Sequence, residues 1–251
     1  MENGELRIQD NLLKDQYTSS LLKLSPRLQL IANKVPVGAR VADIGTDHAY
    51  IPIYLISKGI AEYVIASDIR KGPVEKAAAN IKKYGLMHKI DVRLGNGLEK
   101  VESGEVDTII IAGMGGVLIT EILSVSEPVL RNINKLILQP MIGHEEVRIW
   151  LSENGYKIVD EELASEGDKI YNVIVAEHGK EKIEKEIYHY IGKKLIEKKD
   201  PLLKKLLAIK INEMKKIIKQ LQNNHSENAL TRLADCQIRL KEYESINCLI
   251  G

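Results

Sequence analysis

Val41-Ala42-Asp43-Ile44-Gly45-Thr46-Asp47-His48-Ala49-Tyr50 reads as an apolar strand that ends in a polar turn and enters a helix. The turn keeps one glycine, Gly45. Asp47 and Ala49 stand where a dinucleotide-binding G-x-G-x-x-G loop carries its further glycines. A pyrophosphate needs bare backbone for close approach and is repelled by a carboxylate in the turn. A sulfonium carrying an amino-acid tail tolerates acidic groups and gains from them. Asp43 and Asp47 therefore favour a cationic cofactor over a nucleotide diphosphate.

Outward from this turn, short Val/Ile-rich runs alternate with helical patterns over residues 37–178, as a parallel sheet wound with helices requires. Strands are predicted at 40–44, 63–67, 90–94, 108–112 and 135–138, each followed by a Gly-, Asp- or Pro-rich turn and a helix. Residues 156–163 and 170–177 read as an antiparallel pair at one end of the sheet, turning at 164–169. Ahead of the first strand, residues 21–32 have helical apolar spacing. They are expected to pack on the sheet, where they would be placed to lid the cofactor cleft.

After Gly179 the pattern changes. Leu203, Leu207, Ile211, Met214, Ile218 and Leu221 recur at coiled-coil steps, Asn223-Asn224-His225-Ser226 interrupts them, and Ala229, Leu233, Cys236, Leu240 and Tyr243 resume. An antiparallel hairpin is expected. The fold class is thus α/β, a Rossmann-like sheet over residues 1–179 with an α-helical coiled-coil hairpin over 180–251.

The chain of 251 residues has a net charge of only +1, but residues 180–251 hold 16 Lys and Arg against 10 Asp and Glu. The positive charge sits at the back end, either as a solvated helix surface or as a phosphate-facing one. Charged residues scattered through the first twenty positions leave no room for a signal-peptide core, and no stretch reaches the ~20 apolar residues of a membrane span. A cytoplasmic protein is expected, monomeric or dimerised through the hairpin. The two cysteines, Cys236 and Cys248, form no C-x-x-C, and His144-Glu145-Glu146 lacks the second His of a zincin and reads as a helix start. No metal and no membrane partner are expected.

Three further strand ends carry ligand chemistry. Ala66-Ser67-Asp68-Ile69 sets an acid at the end of the second strand, where such folds bind ribose hydroxyls, the alternative being a helix N-cap. Leu94-Gly95-Asn96-Gly97-Leu98 is a turn whose glycines leave room for a flat ring and whose Asn can read an adenine edge. The run DTIIIAGMGG, residues 107–116, carries a buried strand straight into Ala112-Gly113-Met114-Gly115-Gly116, bare backbone at a strand end.

Together with Leu24-Ser25-Pro26-Arg27-Leu28, Leu138-Gln139-Pro140 and Gly155-Tyr156, these motifs resemble the bacterial tRNA adenine-22 N1-methyltransferase family over nearly the whole chain. The resemblance implies a class I methyltransferase that uses S-adenosyl-L-methionine and acts on tRNA. By it, Asp43, Gly45, Asp47, His48 and Ala49 line the methionine portion, Asp68 with Ile69 the ribose, and Gly95, Asn96 and Gly97 the adenine. Ala112, Gly113 and Met114 face the methyl group, and Gly115 and Gly116 the incoming base. Arg27 meets the cofactor carboxylate or a phosphate, unless it is a plain surface arginine.

Adenine N1 offers an in-plane lone pair, so methyl transfer needs chiefly an in-line approach of about 3–3.5 Å. Asp47, and after it His48, are the candidates to stabilise the cationic product or accept its proton. The base must leave its stack, and Tyr50, Tyr156 and Tyr171 are candidate stacking partners. Lys193, Lys194, Lys198, Lys199, Lys204 and Lys205 are the candidate backbone contacts. A methyltransferase for another RNA, a protein or a small molecule, and a non-catalytic nucleotide-binding scaffold, remain open as alternatives.

Overall fold

The computed structural model describes residues 22–222 and 226–250. Its elements run α1 (Pro26–Asn33), β1 (Ala39–Ile44), α2 (Tyr50–Ser57), β2 (Ala61–Asp68), α3 (Lys71–Lys83), β3 (Ile90–Leu94), β4 (Thr108–Met114), α4 (Gly116–Ser124) and α5 (Glu127–Leu130). They continue with β5 (Lys135–Pro140), α6 (His144–Glu153), β6 (Tyr156–Glu166), β7 (Lys169–His178), α7 (Ile187–Ile191), α8 (Lys193–Glu197), α9 (Leu203–Leu221) and α10 (Glu227–Leu249). The strands form one seven-stranded sheet in the order β3-β2-β1-β4-β5-β7-β6. This is the Rossmann-like α/β architecture expected, and the antiparallel β6–β7 pair lies at its end.

The chain divides into two compact units. The described residues up to Ile110 form one with Ser126–Ile133, and Ile111–Val125 forms the other with the described residues from Asn134 onward.

In the first unit, β1 and β2 bury nearly every residue, as parallel strands covered on both faces do. β1 pairs with β2 and β2 with β3, both in parallel. Ile44 stands opposite Ser67 and Asp68 opposite Leu94, so the loops leaving all three strands start from the same edge. α1 starts at Pro26, later than predicted, because a proline favours the first helical position and holds Ser25 extended before it. The helix packs on α2, where Gln29 Nε2 donates to Tyr54 Oη at 3.0 Å. Leu21, predicted to begin it, lies outside the described residues.

In the second unit, β7 runs antiparallel to both β5 and β6. The β6–β7 ribbon is longer than predicted and turns tightly through Gly167 and Asp168, with Gly167 at φ +59°. α9 and α10 pack on each other, linked across by Lys215 Nζ and Glu244 Oε1 at 3.0 Å, and Ser226 Oγ caps α10 by accepting from Ala229 N at 3.3 Å. The inter-helix residues 223–225 lie outside the described residues. Leu203, Leu207, Ile211, Tyr243 and Ile246 share one apolar cluster with Ile187, Ile191 and Leu195 of the short helices α7 and α8 and with Leu163 of β6.

Candidate functional site

At the end of β1 the chain turns sharply. Gly45 takes φ +82°, and the N–H groups of Gly45 and Thr46 both donate to the Ser67 carbonyl, at 2.8 and 3.0 Å, pinning this loop to β2. A side chain would strain that left-handed backbone. Asp43 is buried just below the turn with no ion-pair partner among the described residues, and burial pushes its carboxyl up to about 6. Asp47 and His48 stand further out, with His48 Nε2 3.4 Å from Asp47 Oδ2 and the imidazole stacked on Tyr50 at 5.2 Å between ring centres. Ala49 is buried in the left-handed region at φ +55° and opens α2, and Asn80 of α3 secures the turn by donating to the His48 carbonyl at 3.0 Å. A non-glycine residue in that conformation is a strained one, held by its surroundings.

Asp68 ends β2, buried. Its Oδ1 accepts from the Arg70 backbone N–H at 2.8 Å and lies 3.6 Å from the Arg70 guanidinium. The N-cap of α3 is Arg70, so Asp68 does not take the N-cap position. Its contacts fall on one oxygen, which leaves Oδ2 to accept from a ligand. Beside it Ile69 is exposed. The Asp68 carbonyl accepts from Gly95 N at 3.1 Å, which fastens the β3 loop to the β2 end. There Asn96 is exposed, Gly97 is buried at φ +53°, and a Cβ on Gly95 would overlap the Lys100 side chain.

In the second unit, β4 ends through Ala112, Gly113 (φ +79°) and Met114. The Met114 carbonyl accepts from Met141 N, and Gly116 N donates to the Ile142 carbonyl, both at 2.8 Å. A Cβ on Gly116 would run into the Gly143 carbonyl oxygen, so this glycine permits two backbones to meet. Gly115 is extended and opens α4. Met141 and Ile142, which carry no ligand signature in the sequence, are exposed beside these glycines.

Several predicted contacts are placed otherwise. Tyr156 is not a free stacking surface: it is buried, and its ring stacks on Trp150 (5.8 Å) and His178 (4.7 Å), so it belongs to the core of the second unit. Lys198 Nζ contacts Asp160 Oδ1 at 2.5 Å and the Glu161 carbonyl at 3.0 Å, Lys194 pairs with Glu197 at 3.0 Å, and Lys193 sits near Glu184 and Glu197 at 3.7 and 3.9 Å. Lys199 and Lys204 are exposed, and Lys205 reaches Ser165 Oγ at 3.4 Å. Arg27 is half-buried in the first turn of α1.

A family profile described as a methyltransferase domain matches residues 24–174. The tRNA (adenine(22)-N(1))-methyltransferase of Bacillus subtilis (strain 168) is 46% identical over 158 residues, covering 63% of this chain and 66% of that protein, just under two thirds of its length. The crystal structure of the B. subtilis M1A22 tRNA methyltransferase TrmK superposes with a TM-score of 0.84 at 36% identity, covering 90% of this chain and 99% of that one. The structure of M. capricolum TrmK in complex with S-adenosyl-homocysteine superposes with a TM-score of 0.77 at 29% identity, covering 91% and 99%.

Proposed function

Because this chain belongs to the bacterial tRNA (adenine-22-N1)-methyltransferase family, we propose that it transfers the methyl group of S-adenosylmethionine to N1 of adenine 22 of tRNA. The observation that carries the reading is the shared edge of β1, β2 and β3, where a buried Asp43 with no ion-pair partner among the described residues and a half-used Asp68 carboxylate stand at adjacent strand ends. That donor set fits the cofactor: a carboxylate without a cation suits its positive groups, and a free carboxylate oxygen suits ribose hydroxyls.

Bound there, the cofactor supplies an electrophilic methyl group on a sulfonium. Asp43, Gly45, Asp47, His48 and Ala49 hold its methionine end, with Arg27 toward the carboxylate. Asp68 and Ile69 hold the ribose, and Gly95, Asn96 and Gly97 the adenine. Ala112, Gly113 and Met114 face the methyl group, and Gly115 and Gly116 the target base. The nucleophile needs no activating base, so orientation supplies most of the rate. Asp47, whose carboxylate neighbours His48, stabilises the cationic product, and one of the two takes the proton released later.

Residues 1–179 act as the catalytic part and 180–251 as the tRNA-binding part, with Lys199 and Lys204 the exposed phosphate contacts. The enzyme works in the cytoplasm, with its tRNA. The test is transfer from labelled S-adenosylmethionine to unmodified bacterial tRNA, followed by digestion to nucleosides. The label is expected in 1-methyladenosine and lost when adenine 22 is replaced by guanine. Equal labelling of both tRNAs, or none of either, overturns the assignment.

A further inference from the structure

Among α6, the β6–β7 ribbon and α9 lies a cavity of about 600 Å³, within the range of sites that hold small ligands or single nucleotides. All its walls belong to the second unit. Tyr171 and Tyr190 line it, as do Asn172, His144, Lys169 and Lys210. One edge is formed by Met141 and Ile142, the exposed loop fastened by backbone hydrogen bonds to Met114 and Gly116.

The lining is selective. Asn172 is 4% exposed and is hydrogen-bonded to the Glu161 carboxylate, which as an acceptor takes the amide's NH₂ end. Its Oδ1 is buried and has no donor among the described residues, and such an orphan acceptor is costly unless a ligand supplies the donor. Lys210 is held below the ordinary lysine range by burial, and His144 is pushed down to about 3 by burial and by the nearby Arg148 and Lys210 charges. His144 is therefore neutral, and with Arg148 paired to Glu161 the cations left to the cavity are Lys169 and Lys210. Glu145, Asp168 and Glu213 also line the walls, which disfavours a ligand bearing several negative charges and suits one bearing a single phosphate.

We infer that this cavity receives one unreacting nucleotide of the bound RNA, its base against Tyr171, its exocyclic amine donating to Asn172 Oδ1, and its phosphate at Lys169 and Lys210, while Tyr190, whose ring carries the Arg239 guanidinium on one face at 3.3 Å, closes the wall. The chemistry requires an amino-bearing base, so adenine, cytosine or guanine fits and uracil does not. The inference rests on the tRNA reading above, because the cavity borders the loop that buttresses the glycines assigned to the target base.

Steady-state kinetics of the full chain with Tyr171→Ala, Tyr171→Phe and Lys210→Gln provide the test. Loss of a stacking ring is expected to raise the KM for tRNA about tenfold, with Tyr171→Phe restoring it and Lys210→Gln raising it again, while the KM for S-adenosylmethionine stays constant. Ultraviolet cross-linking of bound tRNA is expected to leave nucleotide adducts on peptides containing Tyr171 or Tyr190. An unchanged KM for tRNA in both Tyr171→Ala and Lys210→Gln overturns the cavity assignment, as do adducts confined to other peptides. A matching rise in the cofactor KM also overturns it, since the cavity then serves the methyl donor. Absence of any methyl transfer by the unsubstituted chain is a separate result, and it strikes the function itself.

Discussion

Arg148 and Glu161 form an ion pair 2.8 Å long in which each side chain is 1% exposed. The guanidinium also donates to the carbonyls of His189 at 2.6 Å and Ile191 at 3.4 Å, so α6, β6 and the end of α7 meet on one cation. Gly192 lies so close that a Cβ there would overlap the Glu161 carboxylate. Arg148→Ala would strand a buried carboxylate, with an expected loss of about 3–5 kcal/mol, read from urea denaturation midpoints. A loss within about 0.5 kcal/mol, typical of exposed positions, would mean that the pair is dispensable. Deleting residues 180–251 would remove two of the acceptors on Arg148 and uncover Leu163, so point substitutions are the cleaner probe of RNA binding.

Asp43 gives a pH dependence with a definite sign. Its folded-state value of about 6 lies above the ordinary 3.8, so the folded chain binds more protons between these values. Its contribution is fully favourable below about 3.8 and is lost as pH rises through about 6, about 3 kcal/mol by linkage. Asp43→Asn is expected to raise the thermal midpoint of the ligand-free protein at pH 7.5 and to weaken S-adenosylmethionine binding. For the unsubstituted chain, calorimetric affinity should fall by up to tenfold per pH unit below about 6. A flat affinity between pH 5 and 7.5 would remove Asp43 from the cofactor site.

Asp68→Ala removes the carboxylate assigned to the ribose. Charge-assisted hydrogen bonds of this kind contribute about 1.5–3 kcal/mol, so cofactor affinity should drop by at least about tenfold in a calorimetric titration. Arg70 lies on the same carboxylate, and circular dichroism of the variant separates loss of binding from loss of fold. Unchanged affinity would contradict the assignment.

Gly116→Ala places a methyl group against the Gly143 carbonyl. Overpacking of this kind costs about 1–3 kcal/mol, and here it also pushes apart the β4 and β5 loops. The thermal midpoint should fall and methyl transfer should fall with it. A variant of full stability and activity would show that the two loops part freely.

The exposed lysines are tested by salt. Replacing Lys199 and Lys204 together by Ala should flatten the dependence of log affinity for tRNA on log salt by about one to two. Lys194→Ala, where the charge already faces Glu197, should change it less. Equal slopes for all three proteins would take the hairpin base out of RNA contact.

The strands were legible because β4 and β5 carry the apolar runs Ile109-Ile110-Ile111-Ala112 and Leu136-Ile137-Leu138 and β1 sets Val41, Ala42 and Ile44 around a single acid, and their ends fall a residue or two beyond these runs where polar or glycine residues continue the strand, as at Gly113. α7 and α8 escaped notice, since five residues hold too little periodicity to register. Tyr156 was misread because its neighbours Trp150 and His178 lie on other elements and only folding brings them together. The cavity was invisible for the same reason: His144, Asn172 and Lys210 come from three separated segments. What the sequence did carry was each loop's own chemistry, acidic at Asp43 and Asp68 and bare at Gly115 and Gly116, since turns announce themselves locally.

The burial of Asp43 reaches beyond the chemistry of one turn. A carboxyl that burial holds up near 6 leaves the ligand-free fold carrying an unfavourable charge at neutral pH, so any ligand that brings a cation to it would stabilise the fold by mass action as well as occupy the turn.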